Sequence, residues 1–257
     1  MNDIAARLEL VEERIEAACR RSGRKRSEIQ MMAVTKFHPL ESVEAAYGAG
    51  IRLFGESRVK EGKEKFTEFW KTRKRDGSGV NGVGVANGVG VQLHLIGSLQ
   101  RNKAPAAAAF FDCIQSVDRD SLIDELGNLT REREYPLMVM LEYHTGEESK
   151  AGFPGMDDLF RAAERTLSFP GLRPAGLMTM APFTDDEAAI RASFRKLTLA
   201  RAELEKRFHG GNGSDGIHSD GYWSCLSMGM TGDFEIAIEE GSNLIRIGTA
   251  IFGERVT

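Results

Sequence analysis

The sequence predicts an α/β protein whose fold is a single (β/α)8 TIM barrel preceded by an extra N-terminal helix. A chain of 257 residues, 41% of them hydrophobic, can bury a full core, and this length fits one α/β barrel or two small domains. Eight short β-prone runs alternate with helical segments along the chain. This alternation indicates parallel strands joined by right-handed crossovers, and one closed barrel domain, residues 1–257, is the simplest arrangement. An open, doubly wound sheet is the alternative.

The first segment predicts a helix that precedes any strand. Its apolar residues recur at spacings of four, three, four and three positions, at Ile4, Leu8, Val11, Ile15 and Ala18. This spacing draws one apolar stripe along a helix, which Asn2 or Asp3 is placed to cap. Charged residues alternate with the apolar ones, so the segment does not have the pattern of a signal peptide.

Eight β-prone runs follow this helix. They lie at Met31–Thr35, Ile51–Phe54, Gln92–Ile96, Cys113–Val117, Leu137–Glu142, Ala175–Met180, Trp223–Ser227 and Leu244–Ile247. The segments between them have helical spacing or are rich in helix-forming residues. The segment "PLESVEAAYGAG", for example, begins with proline at a first-turn position and ends with glycine, which is typical of a helix between two strands.

Two segments interrupt the alternation, and we expect both to be flexible loop insertions. The first, residues 77–91, is built around the tandem units "NGVGVA" and "NGVGVQ", whose low complexity leaves too little surface to bury. The second, residues 209–221, is rich in Gly, Ser and Asp. It contains His209 and His218 without a strong third ligand, so we expect no metal site.

Charge and cysteine content exclude several classes of protein. Lys and Arg number 34 and Asp and Glu 38, giving a net charge of −4 with neither sign gathered into one block, so we expect no nucleic-acid or membrane partner. The three cysteines, Cys19, Cys113 and Cys225, are too far apart for a redox or metal pair, which indicates a reducing compartment. No segment approaches the roughly 20 apolar residues that span a bilayer. The sequence therefore predicts a cytoplasmic protein.

Lys36, in the stretch "MMAVTKFHPL", is the first candidate functional residue. Strand alternation places Met32, Val34 and Lys36 on one side, so Lys36 points into the barrel mouth if Val34 points into the barrel. By the same rule Leu244 and Arg246 share a face of strand eight, which closes beside strand one. A lysine in a low dielectric beside another cation has a lowered pKa and attacks aldehydes to form Schiff bases. The alternative is a surface lysine that extends its amine into solvent.

Two loops predict a phosphate site near this lysine. The segment "SMGMTGDFE" follows strand seven and "RIGTAIFG" includes the loop after strand eight, where TIM barrels often bind phosphate. Glycine and hydroxyl residues at the start of a helix offer N–H and O–H donors to an anion. The alternative for each loop is an ordinary strand-to-helix turn. Together the loops favour a ligand that carries both an aldehyde and a phosphate.

Seven motifs, in order from Met31 to Gly253, resemble the signatures of the pyridoxal phosphate (PLP) homeostasis proteins, which are related to the N-terminal barrel of alanine racemases. The motifs are "AVTKFHP", "FGESRVKEGKEK", "HLIGSLQRNKA", "IQSVDR", "GLMTMAP", "LSMGMTGDFEIAIEEG" and "RIGTAIFG". The resemblance implies that Lys36 holds PLP as a Schiff base and that Arg246 lies at the pyridine nitrogen. It implies phosphate contacts from Ser227, Gly248 and Thr249. It also implies cofactor contacts at Ser57, Met178, Met228 and Gly229.

The chain departs from the family pattern at two positions near the site. Ser57 stands where the family usually has an asparagine that contacts the cofactor, and its shorter hydroxyl reaches the cofactor through water or not at all. Leu93 stands where the family often has tryptophan, before His94. The second departure concerns packing beside the third strand.

The resemblance implies a non-catalytic protein that carries PLP, supplies it transiently to apoenzymes and is a monomer. An arginine at the pyridine nitrogen disfavours the protonated ring that makes PLP a strong electron sink. Such an environment suits a protein that binds the cofactor better than one that uses it for catalysis. The alternatives are an amino-acid racemase-like PLP enzyme and a class I aldolase that uses Lys36 on a sugar phosphate. Racemases of this kind take a catalytic tyrosine from a second domain, whereas this chain ends at Thr257. We therefore expect racemisation to be absent or very weak.

Overall fold

The computed structural model describes residues 4–71, 90–133, 135–146, 151–208 and 222–254. Its eight strands are β1 (Gln30–Val34), β2 (Leu53–Glu56), β3 (Gln92–Leu95), β4 (Cys113–Val117), β5 (Leu137–Glu142), β6 (Leu172–Met178), β7 (Cys225–Ser227) and β8 (Leu244–Ile247). All neighbouring strands pair in parallel, and β8 pairs with β1 to close the barrel. The predicted (β/α)8 barrel is therefore confirmed, and each predicted strand is present with its ends shifted by at most three residues.

Helices surround the barrel in the order that the sequence predicts. They are α1 (Ile4–Ser22), α2 (Leu40–Gly48), α3 (Val59–Lys71), α4 (Ala104–Phe110), α5 (Asp120–Leu129), α6 (Met156–Leu167), α7 (Glu187–Phe208), α8 (Phe234–Glu239) and α9 (Thr249–Phe252). Short 3-10 helices lie at Arg26–Glu28 and Arg101–Lys103. Across the described ranges, none of these helices combines the length and apolar character needed to cross a membrane. Most of the predicted insertion at 77–91, all of the one at 209–221, and Asn2 and Asp3 lie outside the described residues.

The N-terminal helix completes the ring of helices around the barrel. The helix after β8, α9, has only four residues, and α1 packs against α8, α9 and α2. All five residues of its predicted apolar stripe are buried. On the outer side of the contact, Arg14 and Arg21 of α1 form ion pairs with Glu235 of α8. The extra helix predicted from sequence therefore covers a part of the barrel that α9 is too short to cover.

Two apolar cores lie on opposite sides of the sheet. The larger one fills the layer between the strands and the helices. The smaller one lies inside the barrel and contains Met32, Cys113, Met140, Met178 and Leu244. Because Met32 points inward and side chains alternate along a strand, Val34 continues the same face toward the carboxyl end of the barrel, and Lys36 follows two residues after the strand and lines a cavity there. The interior core thus fixes which side chains reach the mouth.

Candidate functional site

A cavity of about 380 Å³ opens at the carboxyl end of the barrel, where the loops after the strands meet. Six of the nine residues expected from sequence to bind a cofactor line it: Lys36, Ser57, Met178, Arg246, Gly248 and Thr249. Lys36 and Arg246 come together because β8 closes against β1, with Met32 opposite Arg246 in the register. Both cations therefore lie at the same mouth, as strand alternation predicts.

Arg246 is held in one orientation by the strands beside it. Its side chain lies in the barrel, and the residue is 4% exposed. Nη1 donates to the carbonyl oxygen of Ser227 at 2.6 Å and to its Oγ at 2.7 Å, while Nη2 donates to the carbonyl oxygen of Thr179 at 2.8 Å. Burial lowers the pKa of Arg246 to about 10, which still leaves the guanidinium charged at neutral pH. The site therefore contains a fixed positive charge.

A chain of hydrogen bonds runs from Arg246 across the barrel interior. The Ser227 hydroxyl donates to Gln115 Oε1 at 2.6 Å, and Gln115 Nε2 lies 2.8 Å from His94 Nδ1. Burial lowers the pKa of His94 to about 3, so its ring is neutral and Nδ1 can accept from the Gln115 amide. The hydroxyl proton of Ser227 is thus directed to Gln115. Ser227 does not line the cavity, and its role at a phosphate stays a prediction.

The wall expected to bind phosphate includes Thr231 and Gly232, which lie inside the predicted segment "SMGMTGDFE" but after the residues that the family resemblance implied. Thr231 and Gly232 line the cavity with Gly248 and Thr249. The backbone N–H of Ala250 donates to Thr231 Oγ1 at 3.4 Å, which joins the two loops. Thr231 was not assigned individually, because the residues implied by the resemblance in this loop end at Gly229. Its signal was present: a hydroxyl residue inside "GMTGD".

Met228 and Gly229 have structural positions beside this wall. Met228 is fully buried in the larger core. Gly229 has φ +96°, and a Cβ there would lie 2.6 Å from the Ala237 Cβ and 2.9 Å from the Phe234 Cα. Only glycine fits this turn, which carries the loop back over α8. Direct cofactor contacts from Met228 and Gly229 stay predictions.

Glu142 is a cavity residue that the sequence argument did not identify. It ends β5, lines the cavity and is 4% exposed. Burial raises the pKa of Glu142 to about 7, the charge of Asp118 raises it further, and Arg246 opposes both. Its carboxyl makes no hydrogen bond to any described residue. The available signal was alternation, since Met138, Met140 and Glu142 share the inward face of a strand that otherwise resembles a fully buried one.

The two departures from the family motifs lie in different environments. Ser57 lines the cavity and sits against Gly97, where a Cβ would come within 2.2 Å of the Ser57 carbonyl oxygen. Gly97 therefore allows the loops after β2 and β3 to approach each other closely. Leu93 is fully buried in the core between sheet and helices, so the leucine is accommodated by packing.

The cavity combines four kinds of group. Lys36 supplies an amine, Thr231 and Thr249 supply hydroxyls, Arg246 supplies a fixed guanidinium and Glu142 supplies a carboxyl that titrates near neutral pH. This set suits an anionic ligand with an electrophilic carbon that the amine can attack. In the described part of the chain, no group of three or more His, Cys, Asp or Glu side chains is arranged to hold a metal ion.

Comparison with known sequences finds one family over nearly the whole chain. Residues 7–256 match the family model of the alanine racemase N-terminal domain. The pyridoxal phosphate homeostasis protein of Vibrio cholerae is 34% identical over 256 residues, which cover 99% of this chain and 98% of that protein. The homeostasis protein of Aquifex aeolicus is 32% identical, with 97% of each chain covered.

Comparison with solved structures finds the same fold. A protein described as unknown from Bifidobacterium adolescentis superposes with a TM-score of 0.84 at 34% identity, covering 97% of this chain and 94% of that one. PipY of Synechococcus elongatus, solved with PLP bound, has a TM-score of 0.75 at 29% identity, covering 97% and 100%. A histidine racemase from Leuconostoc mesenteroides shares the fold alone, with a TM-score of 0.66 at 15% identity, and 98% of this chain covers 57% of that enzyme.

Proposed function

This chain belongs to the pyridoxal phosphate homeostasis protein family, and from that premise we propose that it binds PLP in the cavity at the mouth of its barrel. We further propose that Lys36 holds the cofactor covalently. The ε-amino nitrogen condenses with the aldehyde carbon, a C=N bond replaces the C=O bond, and water leaves. The observation that carries the proposal is that Lys36, Arg246 and the hydroxyls of Thr231 and Thr249 line one cavity.

The donor set of the cavity fits PLP. Its aldehyde needs an amine, which Lys36 supplies two residues after the end of β1. Its phosphate needs hydroxyl and backbone donors, and Thr231, Gly232, Gly248 and Thr249 offer these from two joined loops. A relative in the same family, PipY, was solved with PLP bound. Bound PLP supplies an electrophilic carbon that forms a reversible covalent bond with an amine.

Arg246 supports a role in holding the cofactor. A guanidinium has only donors and stays charged, so next to the pyridine nitrogen it leaves that nitrogen unprotonated. The protonated ring is what makes PLP a strong electron sink, so this environment weakens the cofactor as a catalyst. We therefore propose a monomeric cytoplasmic carrier that keeps the reactive aldehyde bound and passes PLP to apoenzymes in transient contacts, without turnover of its own.

A racemase-like PLP enzyme is the second candidate, and Glu142 is the observation that favours it. Racemisation needs a proton-transfer group on each side of the reacting carbon. Lys36 is one such group, and Glu142 is the one carboxyl among the described residues that line the cavity. Its pKa of about 7 suits proton transfer at neutral pH. Incubation with L-alanine or L-serine tests this candidate: D-enantiomer formed at an enzyme-like rate, and lost in Glu142→Gln, overturns the carrier proposal.

Reconstitution with PLP tests the binding proposal. The wild-type protein is expected to gain the visible absorption band of a PLP Schiff base and, after borohydride reduction, to carry the cofactor on Lys36 by peptide mass spectrometry. Lys36→Ala is expected to lose both signals. Lys103→Ala serves as the matched control, since Lys103 lies on a 3-10 helix and does not line the cavity. A band that survives Lys36→Ala contradicts the assignment of Lys36.

Transfer to an apoenzyme tests the carrier role. The loaded protein is mixed with a PLP-dependent apoenzyme and a trap for free PLP, and the activity of the apoenzyme is followed. Activation in the presence of the trap supports direct transfer. Activation that the trap abolishes indicates that PLP only dissociates into solution, which contradicts the transient contact.

A further inference from the structure

Three charged side chains lie behind the end of β1, and none of them lines the cavity. Glu56 ends β2, and Glu61 and Lys65 lie one turn apart on α3. The Glu56 side chain is fully buried and the Lys65 side chain is 8% exposed. Lys65 Nζ lies 2.8 Å from Glu56 Oε1 and 3.1 Å from Glu61 Oε1. We refer to Glu56, Glu61 and Lys65 as the α3 clamp.

The α3 clamp contacts the residues on both sides of Lys36. Before it, the carbonyl oxygen of Thr35 accepts a hydrogen bond from Lys65 Nζ at 2.7 Å, and the Thr35 hydroxyl donates to Glu56 Oε1 at 2.7 Å. After it, the backbone N–H of Phe37 donates to Glu61 Oε1. The main chain that carries Lys36 is therefore fixed at its two neighbours by side chains from β2 and α3.

The backbone after Lys36 has a conformation that needs such support. Phe37 has φ +65°, a left-handed conformation that is uncommon for a residue with a bulky side chain. Such conformations persist where surrounding contacts hold them, and they concentrate at binding sites. The Glu61 carboxylate holds the N–H of this residue. If Phe37 relaxed to negative φ, the peptide group between Lys36 and Phe37 would rotate. The Lys36 side chain would then point in a different direction and no longer into the cavity.

We propose that Glu61 and Lys65 are positioning residues that direct Lys36 toward the aldehyde of PLP. The proposal rests on the function proposed above for Lys36. Buried ion pairs add little net stability compared with apolar packing, so the specific consequence of this clamp is the geometry it gives Thr35 and Phe37. A misplacement of about 1 Å in an attacking group slows a reaction by up to roughly a hundredfold, so the loss of one clamp contact should slow Schiff-base formation.

Variants of Glu61 test the clamp. Glu61→Ala removes the acceptor for the Phe37 N–H, whereas Glu61→Gln keeps a side-chain oxygen at the same reach. Glu68→Ala is the matched control, because Glu68 lies on the same helix, is 57% exposed and pairs with exposed Lys71. Glu61→Asp, which retracts the carboxylate by one methylene and keeps its charge, replaces Glu61→Ala should that variant not fold.

Three measurements separate positioning from general damage. The first is hydrogen exchange at the Phe37 amide in PLP-free protein, followed by NMR. The second is the rate at which the Schiff-base band appears after PLP is added. The third is the affinity for pyridoxine 5′-phosphate, which has an alcohol in place of the aldehyde and so occupies the cavity without reacting with Lys36.

The expected pattern differs between the variants. In Glu61→Ala, Phe37 exchanges faster and the Schiff base forms at least about tenfold more slowly, while affinity for pyridoxine 5′-phosphate stays within about twofold. Glu61→Gln recovers most of the rate, and Glu68→Ala matches wild type. An unchanged rate in Glu61→Ala, or an equal loss of affinity for pyridoxine 5′-phosphate, overturns the positioning role alone. If the wild type forms no band that depends on Lys36, the proposed function fails and the positioning role falls with it.

Discussion

Buried glutamates at the carboxyl ends of the barrel strands and glutamates on the outer surface have pKa values that shift in opposite directions. Burial raises the pKa of Glu142 to about 7, and burial also raises the pKa of Glu56 despite the neighbouring ammonium of Lys65. On the outer surface, burial likewise tends to raise the pKa of Glu239, but hydrogen bonds from Arg191 and Arg21 outweigh it and the pKa is lowered. The carboxyl is the same, and the balance between its burial and its cationic hydrogen-bonding partners decides the direction of the pKa shift.

This difference separates the groups that hold the fold from the groups that suit chemistry. Arginines pair with the carboxylates of α8 and join α1 and α7 to it, with Nη2 of Arg191 2.6 Å from Glu239 Oε2. These pairs keep their charges at neutral pH. At the mouth, Glu142 lies near Arg246 without a hydrogen bond to it, so it can gain or lose a proton near neutral pH. Glu142 is thus a buried carboxyl whose charge Arg246 stabilises only in part, and this property distinguishes the candidate site from the surface ion pairs.

Replacing Arg246 should have the largest effect on stability and is the strongest test of this contrast. In PLP-free protein, Arg246→Met should lower the free energy of unfolding by about 3 to 5 kcal/mol, because the Thr179 carbonyl oxygen loses its guanidinium donor and the Ser227 carbonyl and hydroxyl oxygens each lose one charged donor. Urea denaturation measures the change. Arg14→Met is the control on the outer surface, since Arg14 is 46% exposed and its ion pair with Glu235 should contribute about 1 kcal/mol or less. Equal losses in the two variants would remove the contrast.

The pH dependence of stability should show the opposite shifts directly. The pKa of Glu142 is about 7 in the folded protein against an ordinary value of 4.5, so the folded state binds more protons than the unfolded chain between these values. The neutral carboxyl therefore contributes fully below pH 4.5, and this contribution is lost as the pH rises through 7. It amounts to at most about 3 kcal/mol. Urea denaturation from pH 5 to about 8.5 should show this slope in wild type and not in Glu142→Gln.

Glu239→Gln is the matched control for the pH profile, and its effect has the opposite sign. The pKa of Glu239 is lowered in the folded protein, so its contribution is present above its ordinary value of 4.5 and is lost as the pH falls through the folded value. The Glu239→Gln variant should therefore differ most from wild type at neutral pH and least in acid. If both variants flatten the same part of the profile, the two carboxyls do not titrate as proposed.

The fold and one half of the candidate site could be predicted from sequence because they follow from local patterns. A period of two along β1 predicted the direction of Lys36 from Met32 and Val34, and the interior position of Met32 agrees with it. The eight strand and helix units needed only propensity and spacing. Arg246 followed from the same alternation on β8, together with the closure of the barrel.

The rest of the site depends on contacts between distant segments, which no local pattern encodes. The hydroxyl of Ser227 turns to Gln115, a residue 112 positions away. Glu61 and Lys65 have the spacing of an ordinary surface ion pair on a helix, and only the packing of α3 against the ends of β1 and β2 buries Lys65. Glu142 ends a strand whose other residues are apolar, so the sequence predicted a buried strand there and did not indicate that its last side chain enters the cavity.

A pair of lysines on α3 offers the smallest expected effect and the sharpest comparison. Lys60 and Lys65 each pair with a glutamate four positions away, and the sequence pattern is nearly the same. Lys60 Nζ lies 3.9 Å from Glu64 Oε1, with side chains 86% and 68% exposed, so Lys60→Ala should change the free energy of unfolding by less than about 0.5 kcal/mol.

Lys65→Ala should instead be strongly destabilising, because it removes the ammonium that pairs with the buried Glu56 carboxylate and one of the two donors to the Thr35 carbonyl oxygen. Urea denaturation of the two PLP-free variants at neutral pH measures both effects. A loss in Lys60→Ala comparable to that in Lys65→Ala would mean that the helix as a whole, rather than its buried ammonium, supports the end of β1. The expected difference attributes that support to one hydrogen-bonded charge, which the exposed lysine on the same helix cannot supply.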